Sequence, residues 1–108
     1  TYVDDVVEAN RTLLTSDAAD GEVMNVGSTD TIEILALAEV IRDELAPGPD
    51  IVFEEARQAD AAHTHADVSK ARELIGYEPT TGIREGVGKF VAWYRENREW
   101  YEPLVLAS

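Results

Sequence analysis

The sequence predicts an α/β chain, mostly helical, with two or three short strands. Three observations point there. Apolar residues recur at helical spacing in four separate stretches, each with a start or stop signal. Two short segments, EVMNVG at 22–27 and IVFEE at 51–55, read as strands. The 108 residues suffice for one domain and not two. Strands this few and short make a small sheet at best, not an independent doubly wound domain.

Tyr2 and Val3 read as the end of a strand. Asp4 and Asp5 then offer N-caps for a helix to about Thr15, in which Val6, Val7, Leu13 and Leu14 form a buried stripe. SDAADGE is a turn, and EVMNVG a buried strand ending at Gly27. Asp30 with Glu33 makes a capping box for a second helix to about Leu45. That helix places Ile34, Leu37, Ala38, Ile41 and Leu45 on one face, and APGPD breaks it. Residues 56 to 66 read as loop. Asp67 caps a short third helix whose Val68, Ala71 and Ile75 face inward, and Gly76 stops it as a left-handed residue. Thr80 or Thr81 opens the last helix, burying Ile83, Val87, Phe90, Val91 and Tyr94 despite Gly86 and Gly88 in its interior. The tail EWYEPLVLAS is more apolar than this chain needs, so it either packs on another surface or frays.

The charge narrows the function classes. There are 22 acidic residues against 9 basic ones, a net charge of −13. No basic face exists for nucleic acid. The longest apolar run, ILALAEVI, is cut by Glu39 and far shorter than the ~20 residues of a membrane span. With no basic-then-apolar leader at TYVDD, the expected compartment is the cytoplasm. With no cysteine, disulfides and Cys-based metal or redox sites are excluded. Many Asp and Glu, few Lys, and small apolar residues are the composition of a protein adapted to high salt; an ordinary acidic protein is the alternative.

Few motifs carry chemistry. No glycine-rich dinucleotide loop follows a strand, no P-loop is present, and no nucleophile elbow appears. His63 and His65 could share a metal with Asp60 or Asp67, but a third strong ligand at usual spacing is missing, so a loop pair is the simpler reading and no metal is expected. Asp4 and Asp5 could be an acid/base pair; neighbours at a helix start do not face each other, so capping is preferred. Tyr77, Trp93, Tyr94, Trp100 and Tyr101 could stack on a sugar or base, or serve as core and interface. Arg57 is either an ordinary surface arginine or an anion site, since a planar fork of donors on a loop suits phosphate.

Taken in order, YVDDVVEAN, MNVGSTDTIEILALAEVI and ARQADAAHTHADVSKARELIGYEPTTGIREGVGKFVAWY resemble the C-terminal part of the NAD-dependent nucleotide-sugar epimerase/dehydratase family. These are extended short-chain dehydrogenases, and UDP-glucose 4-epimerase is nearest in pattern. The resemblance runs from residue 2 to about 95 and implies that residues 1–108 are a substrate-binding domain, a fragment of an extended Rossmann-type enzyme. It implies an N-terminal Rossmann domain, absent from these residues, that carries the NAD site and the Tyr-x-x-x-Lys catalytic pair. No catalytic residue and no NAD site are then expected in this chain. It implies that Arg57 grips the substrate diphosphate, Asp60 contacts the ribose, and Thr64 lines the pocket, while Asn25, Gly27, Ser28 and Thr29 form a turn beside the base. Two positions depart from the family pattern: Ala59 and Thr29 stand where it has glycine. If either requires a positive φ, its Cβ strains the turn. A 4,6-dehydratase, a decarboxylase or a reductase of the same family remains open, as does a non-catalytic acidic interaction module. Without its Rossmann partner the chain is expected to self-associate, through the Tyr2-Val3 strand edge and the loop at 56–66.

Overall fold

The computed structural model describes residues 1–45, 50–55 and 65–107. Its elements are α1 (Val3–Thr15), α2 (Ile34–Glu44), α3 (Ser69–Ile75) and α4 (Ile83–Leu106). There is no strand among the described residues, which overturns the predicted α/β class. The reason lies in what a period of two reports. In 22–27, Met24 and Val26 are half-buried while Val23 and Asn25 are exposed, so the side chains alternate as in a strand. A strand also needs a ladder, and no backbone hydrogen bond joins 22–27 to 51–55 or to Tyr2-Val3. Alternation without a partner is an extended segment laid over helices. At 51–55 even the burial fails, since Val52 and Phe53 are largely exposed.

The segment 22–27 lies over a corner where α1 meets α3. Ala9 of α1 and Ala71 of α3 are both buried, and their small side chains let the helices approach closely. Val68 and Tyr77 complete this core, with Met24, Val26, Ala66 and Ile75 packed against it. The Tyr77 hydroxyl donates to the Gly27 carbonyl at 2.7 Å, so the aromatic ring is buried with its polar atom satisfied. Gly27 is needed in that place, because a Cβ there would stand 3.1 Å from the Cβ of Ala66. The inward face of α3 and its stop match the sequence. Gly76 adopts φ 65, and the Tyr77 N–H closes onto the Ala71 carbonyl at 3.3 Å.

The second packing unit is α2 against α4, with Val40 and Val91 buried between them. The Arg95 guanidinium donates to the Glu44 carbonyl at 3.2 Å, a cation on the negative end of α2. Gly86 of α4 faces Tyr2, and a Cβ at Gly86 would touch its ring at 3.4 Å. Lys89 stands 5.2 Å over the same ring.

Helix starts differ from the sequence reading. Asp4 and Asp5 lie inside the first turn of α1, with Tyr2 at the N-cap, and Tyr2-Val3 is not strand. Glu33, not Asp30, precedes α2, and the capping box does not form. Gly82 caps α4 in place of either threonine. The stripe expected on α1 is largely outside: Val7 and Leu13 are exposed, and Leu14 is 87% exposed. Of the face expected on α2, Ile34 is mostly exposed and the buried residue is Val40. The tail is helical to Leu106, with Pro103 inside the helix. Tyr94 and Arg98 both donate to Glu102, at 2.6 and 2.8 Å, and hold its carboxyl below the ordinary range. The APGPD break falls on residues 46–50, most of which lie outside the described residues.

For its mass the chain exposes a great deal. A compact protein of 11.9 kDa shows about 5,900 Å² to solvent; this one shows 8731 Å². Its radius of gyration is 17.1 Å, against about 13 Å for a compact chain of this length.

Candidate functional site

Segment 25–32 is a wall between two clefts. On one side, Tyr2, Ser28, Thr29 and Thr31 face Ile83 and Phe90 of α4 across a cleft of about 850 Å³. On the other, Asn25, Gly27, Ser28 and Ile34 face His65 across one of about 640 Å³. Hydrogen bonds fix the wall at both ends. The Ser28 N–H donates to Thr1 Oγ1 at 2.8 Å, and the Asp30 N–H to Ser28 Oγ at 3.2 Å. His65 Nε2 donates to the Thr29 carbonyl at 3.1 Å, which ties residue 65 to the turn.

Of the site residues expected from the sequence, Thr29 is the described one. It is exposed on the larger cleft. No described residue other than glycine has a positive φ, so Thr29 replaces the family's glycine without backbone strain. Arg57, Asp60 and Thr64 lie outside the described residues, as do Ala59 and His63. The described residues lining the larger cleft include Asp30 but neither Lys nor Arg. Among the described residues no group of three His, Asp or Glu is placed to hold a metal ion.

Asp5 has a role that sequence reasoning missed. It is 6% exposed and points away from Asp4, toward the chain before α4. Its Oδ1 accepts the Thr80 N–H at 3.0 Å and the Thr80 hydroxyl at 3.1 Å, and its Oδ2 accepts the Thr81 N–H at 3.2 Å. Burial by itself raises the Asp5 pKa, but those hydrogen bonds and the charge of Lys89 outweigh it and hold the carboxyl below its usual value. The carboxylate is therefore a strut that sets the approach of α4 to α1, and with it one wall of the larger cleft. Two threonines before a helix were the available signal, but capping of their own helix is the local reading of such a pair, and nothing local links them to a carboxylate so far back in the chain.

No family model matches the chain. Individual proteins do. It is 32% identical over 100 residues to an uncharacterized protein of Methanocaldococcus jannaschii, covering 93% of this chain and 30% of that protein. It is 31% identical over 93 residues to a dTDP-glucose 4,6-dehydratase of Streptomyces antibioticus, covering 85% of this chain and 28% of the relative. It is 32% identical over 107 residues to UDP-glucuronate 4-epimerase 1 of Arabidopsis thaliana, covering 87% and 25%. No helix among the described residues is long and apolar enough to cross a membrane. The chain thus spans between a quarter and a third of the length of the curated relatives it matches, and those named for an activity are nucleotide-sugar dehydratases and epimerases.

Proposed function

We propose that this chain binds the nucleoside diphosphate of a nucleotide-sugar, as the substrate-binding part of an NAD-dependent 4-epimerase of the UDP-glucose 4-epimerase type. The observation that carries the reading is similarity over 85% to 87% of the chain to a nucleotide-sugar dehydratase and an epimerase. The clefts beside Thr29 support it, since they offer room, hydroxyls and apolar walls, with neither Lys nor Arg among the described lining residues. In this reading Arg57 supplies the missing positive charge as a bidentate clamp on the diphosphate. Asp60 takes the ribose, and Thr64 and Thr29 line the pocket. Hydride transfer and NAD belong to a Rossmann domain outside these 108 residues, and this chain contributes binding and orientation. A 4,6-dehydratase is the second reading, favoured by the Streptomyces relative.

Calorimetric titration of UDP- and dTDP-sugars tests the binding role. Each charge-assisted hydrogen bond from Arg57 contributes roughly 1.5–3 kcal/mol, so Arg57→Ala should lower affinity about tenfold or more. Arg57→Lys should restore part of it, because an ammonium lacks the fork. NAD should not bind. Equal affinities in parent and Arg57→Ala would remove the diphosphate clamp, and micromolar NAD binding would remove the division of labour.

A further inference from the structure

His65 is exposed, yet it makes one contact that the nucleotide-sugar reading leaves without a purpose. Its Nε2 lies 3.1 Å from the Thr29 carbonyl, across 36 residues of sequence. A carbonyl brings no proton, so Nε2 must carry it, and the neutral ring is fixed as the Nε2–H tautomer. Thr29 lines the larger cleft, and His65 lines the smaller one. Ser28, Asp30, Thr31 and Ile32 line both, so the wall between the clefts is a single layer of chain. His65 therefore grips, from behind, the peptide that carries Thr29.

Segment 25–32 has no ladder partner among the described residues, so its shape depends on single contacts. They lie in order from the core outward. The Tyr77 hydroxyl holds the Gly27 carbonyl at 2.7 Å. Gly27 passes so close to Ala66 that a Cβ on it would stand 3.1 Å from the alanine Cβ. Ala66 is itself packed on the core of Ala9, Val68, Ala71 and Tyr77. The backbone at residue 66 is thus anchored, and it delivers the neighbouring imidazole to Thr29 with only the side-chain torsions of His65 left to order. The N–H of the same 29–30 peptide, on Asp30, donates to Ser28 Oγ at 3.2 Å. With both polar ends of that peptide occupied, its plane and the position of Thr29 are set before a ligand arrives.

A wall ordered in advance spares the ligand the entropy of ordering it on binding. A hydrogen bond at an exposed surface adds little to folding, because water takes the place of a donor that is removed. Loss of the His65 bond is then felt in affinity more than in stability.

We infer that His65 is a positioning residue of the candidate site, holding the Thr29 turn in its binding shape through Nε2. This role rests on the nucleotide-sugar reading and requires no contact between His65 and the ligand.

Calorimetric titration of UDP-glucose and dTDP-glucose into the chain and into its His65→Ala and His65→Gln variants tests the role. The amide nitrogen of glutamine reaches about as far as Nε2 and can donate to the same carbonyl. His65→Ala should weaken binding about three- to tenfold with little change in Tm, and His65→Gln should return it to within about twofold of the parent. Equal affinity in the parent and His65→Ala overturns the inference and leaves the nucleotide-sugar reading standing. A glutamine variant as weak as the alanine one also overturns it, and so does a large fall in Tm, which would make the bond merely structural. A parent that binds neither sugar nucleotide removes the reading, and the inference with it. One further measurement needs neither ligand nor stable variant. Long-range 1H–15N NMR of the parent should show the neutral His65 ring protonated at Nε2, with nuclear Overhauser contacts from the ring to Thr29 or Asp30. The Nδ1–H tautomer, or a ring without those contacts, overturns the inference.

Discussion

The α1–α3 corner and the outer half of α4 use their apolar side chains in opposite ways. At the corner, small residues bring two helices together, and the buried polar atoms of Asp5 and Tyr77 each find partners far away in sequence. On α4, larger side chains make contacts within one helix and leave their outer faces in water. Apolar content therefore does not tell which part of this molecule is closed. The corner is held by a few directed hydrogen bonds around a core of Ala, Val and Tyr. The outer face of α4 leaves Phe90, Trp100 and Leu104 largely exposed.

The sharpest way to break the corner is Asp5→Ala. It removes the acceptor for two backbone N–H groups and one hydroxyl. The loss should be about 3 kcal/mol or more, a fall in Tm of roughly 12 °C or more for a domain this small, measurable by thermal circular dichroism. Acid should act through the same carboxyl. The folded pKa of Asp5 lies below its ordinary value, so its contribution is complete above the unfolded pKa of about 3.9 and is lost as pH falls through the folded pKa. Protonating the other carboxylates relieves repulsion in both proteins. Relative to the parent, Asp5→Asn should therefore be less stable at neutral pH, with the gap closing at low pH. A gap constant with pH would mean that the Asp5 charge contributes nothing.

Tyr77→Phe comes next. It leaves the Gly27 carbonyl without its donor and should cost about 1–2 kcal/mol in urea denaturation with an unchanged m-value. Salt should follow. With 22 carboxylates on the chain, raising KCl from 0.1 M shortens the screening length toward ~3 Å at 1 M, and Tm should rise. A flat or falling Tm would dismiss adaptation to high salt. The smallest effect sharpens the contrast from the other side: Leu14→Gln, at an 87% exposed position, should change stability by no more than about 0.5 kcal/mol.

The sequence made the four helices legible, and the end of α3 at Gly76 most clearly, because a helical period and a left-handed glycine are local signals. The sheet was misread because alternation of Val23, Met24, Asn25 and Val26 reports only which side chains are covered, not whether a second strand lies alongside. The α1 stripe was misread for a related reason: Leu13 and Leu14 are spaced to be buried, but spacing does not supply a neighbouring surface. At the candidate site, the family resemblance singles out Thr29, while the wall it stands on is held by Thr1 and His65, which no sequence signal marks for that role. Asp5 was visible as a helix-start residue and invisible as a strut, because its partners are 75 and 76 residues away.

That distance has a consequence during synthesis. The carboxylate of Asp5 emerges from the ribosome 75 residues before Thr80, which at translation speeds of about 5–20 residues per second is a wait of roughly 4–15 s. Throughout that interval α1 can form its own helical turns but has no donors for a carboxylate that the folded corner nearly buries. The corner therefore cannot close from the N-terminus onward. It must wait for the arrival of the Thr80-Thr81 pair, and any cellular factor that shields α1 meanwhile would have to release it only after residue 81 has cleared the exit tunnel.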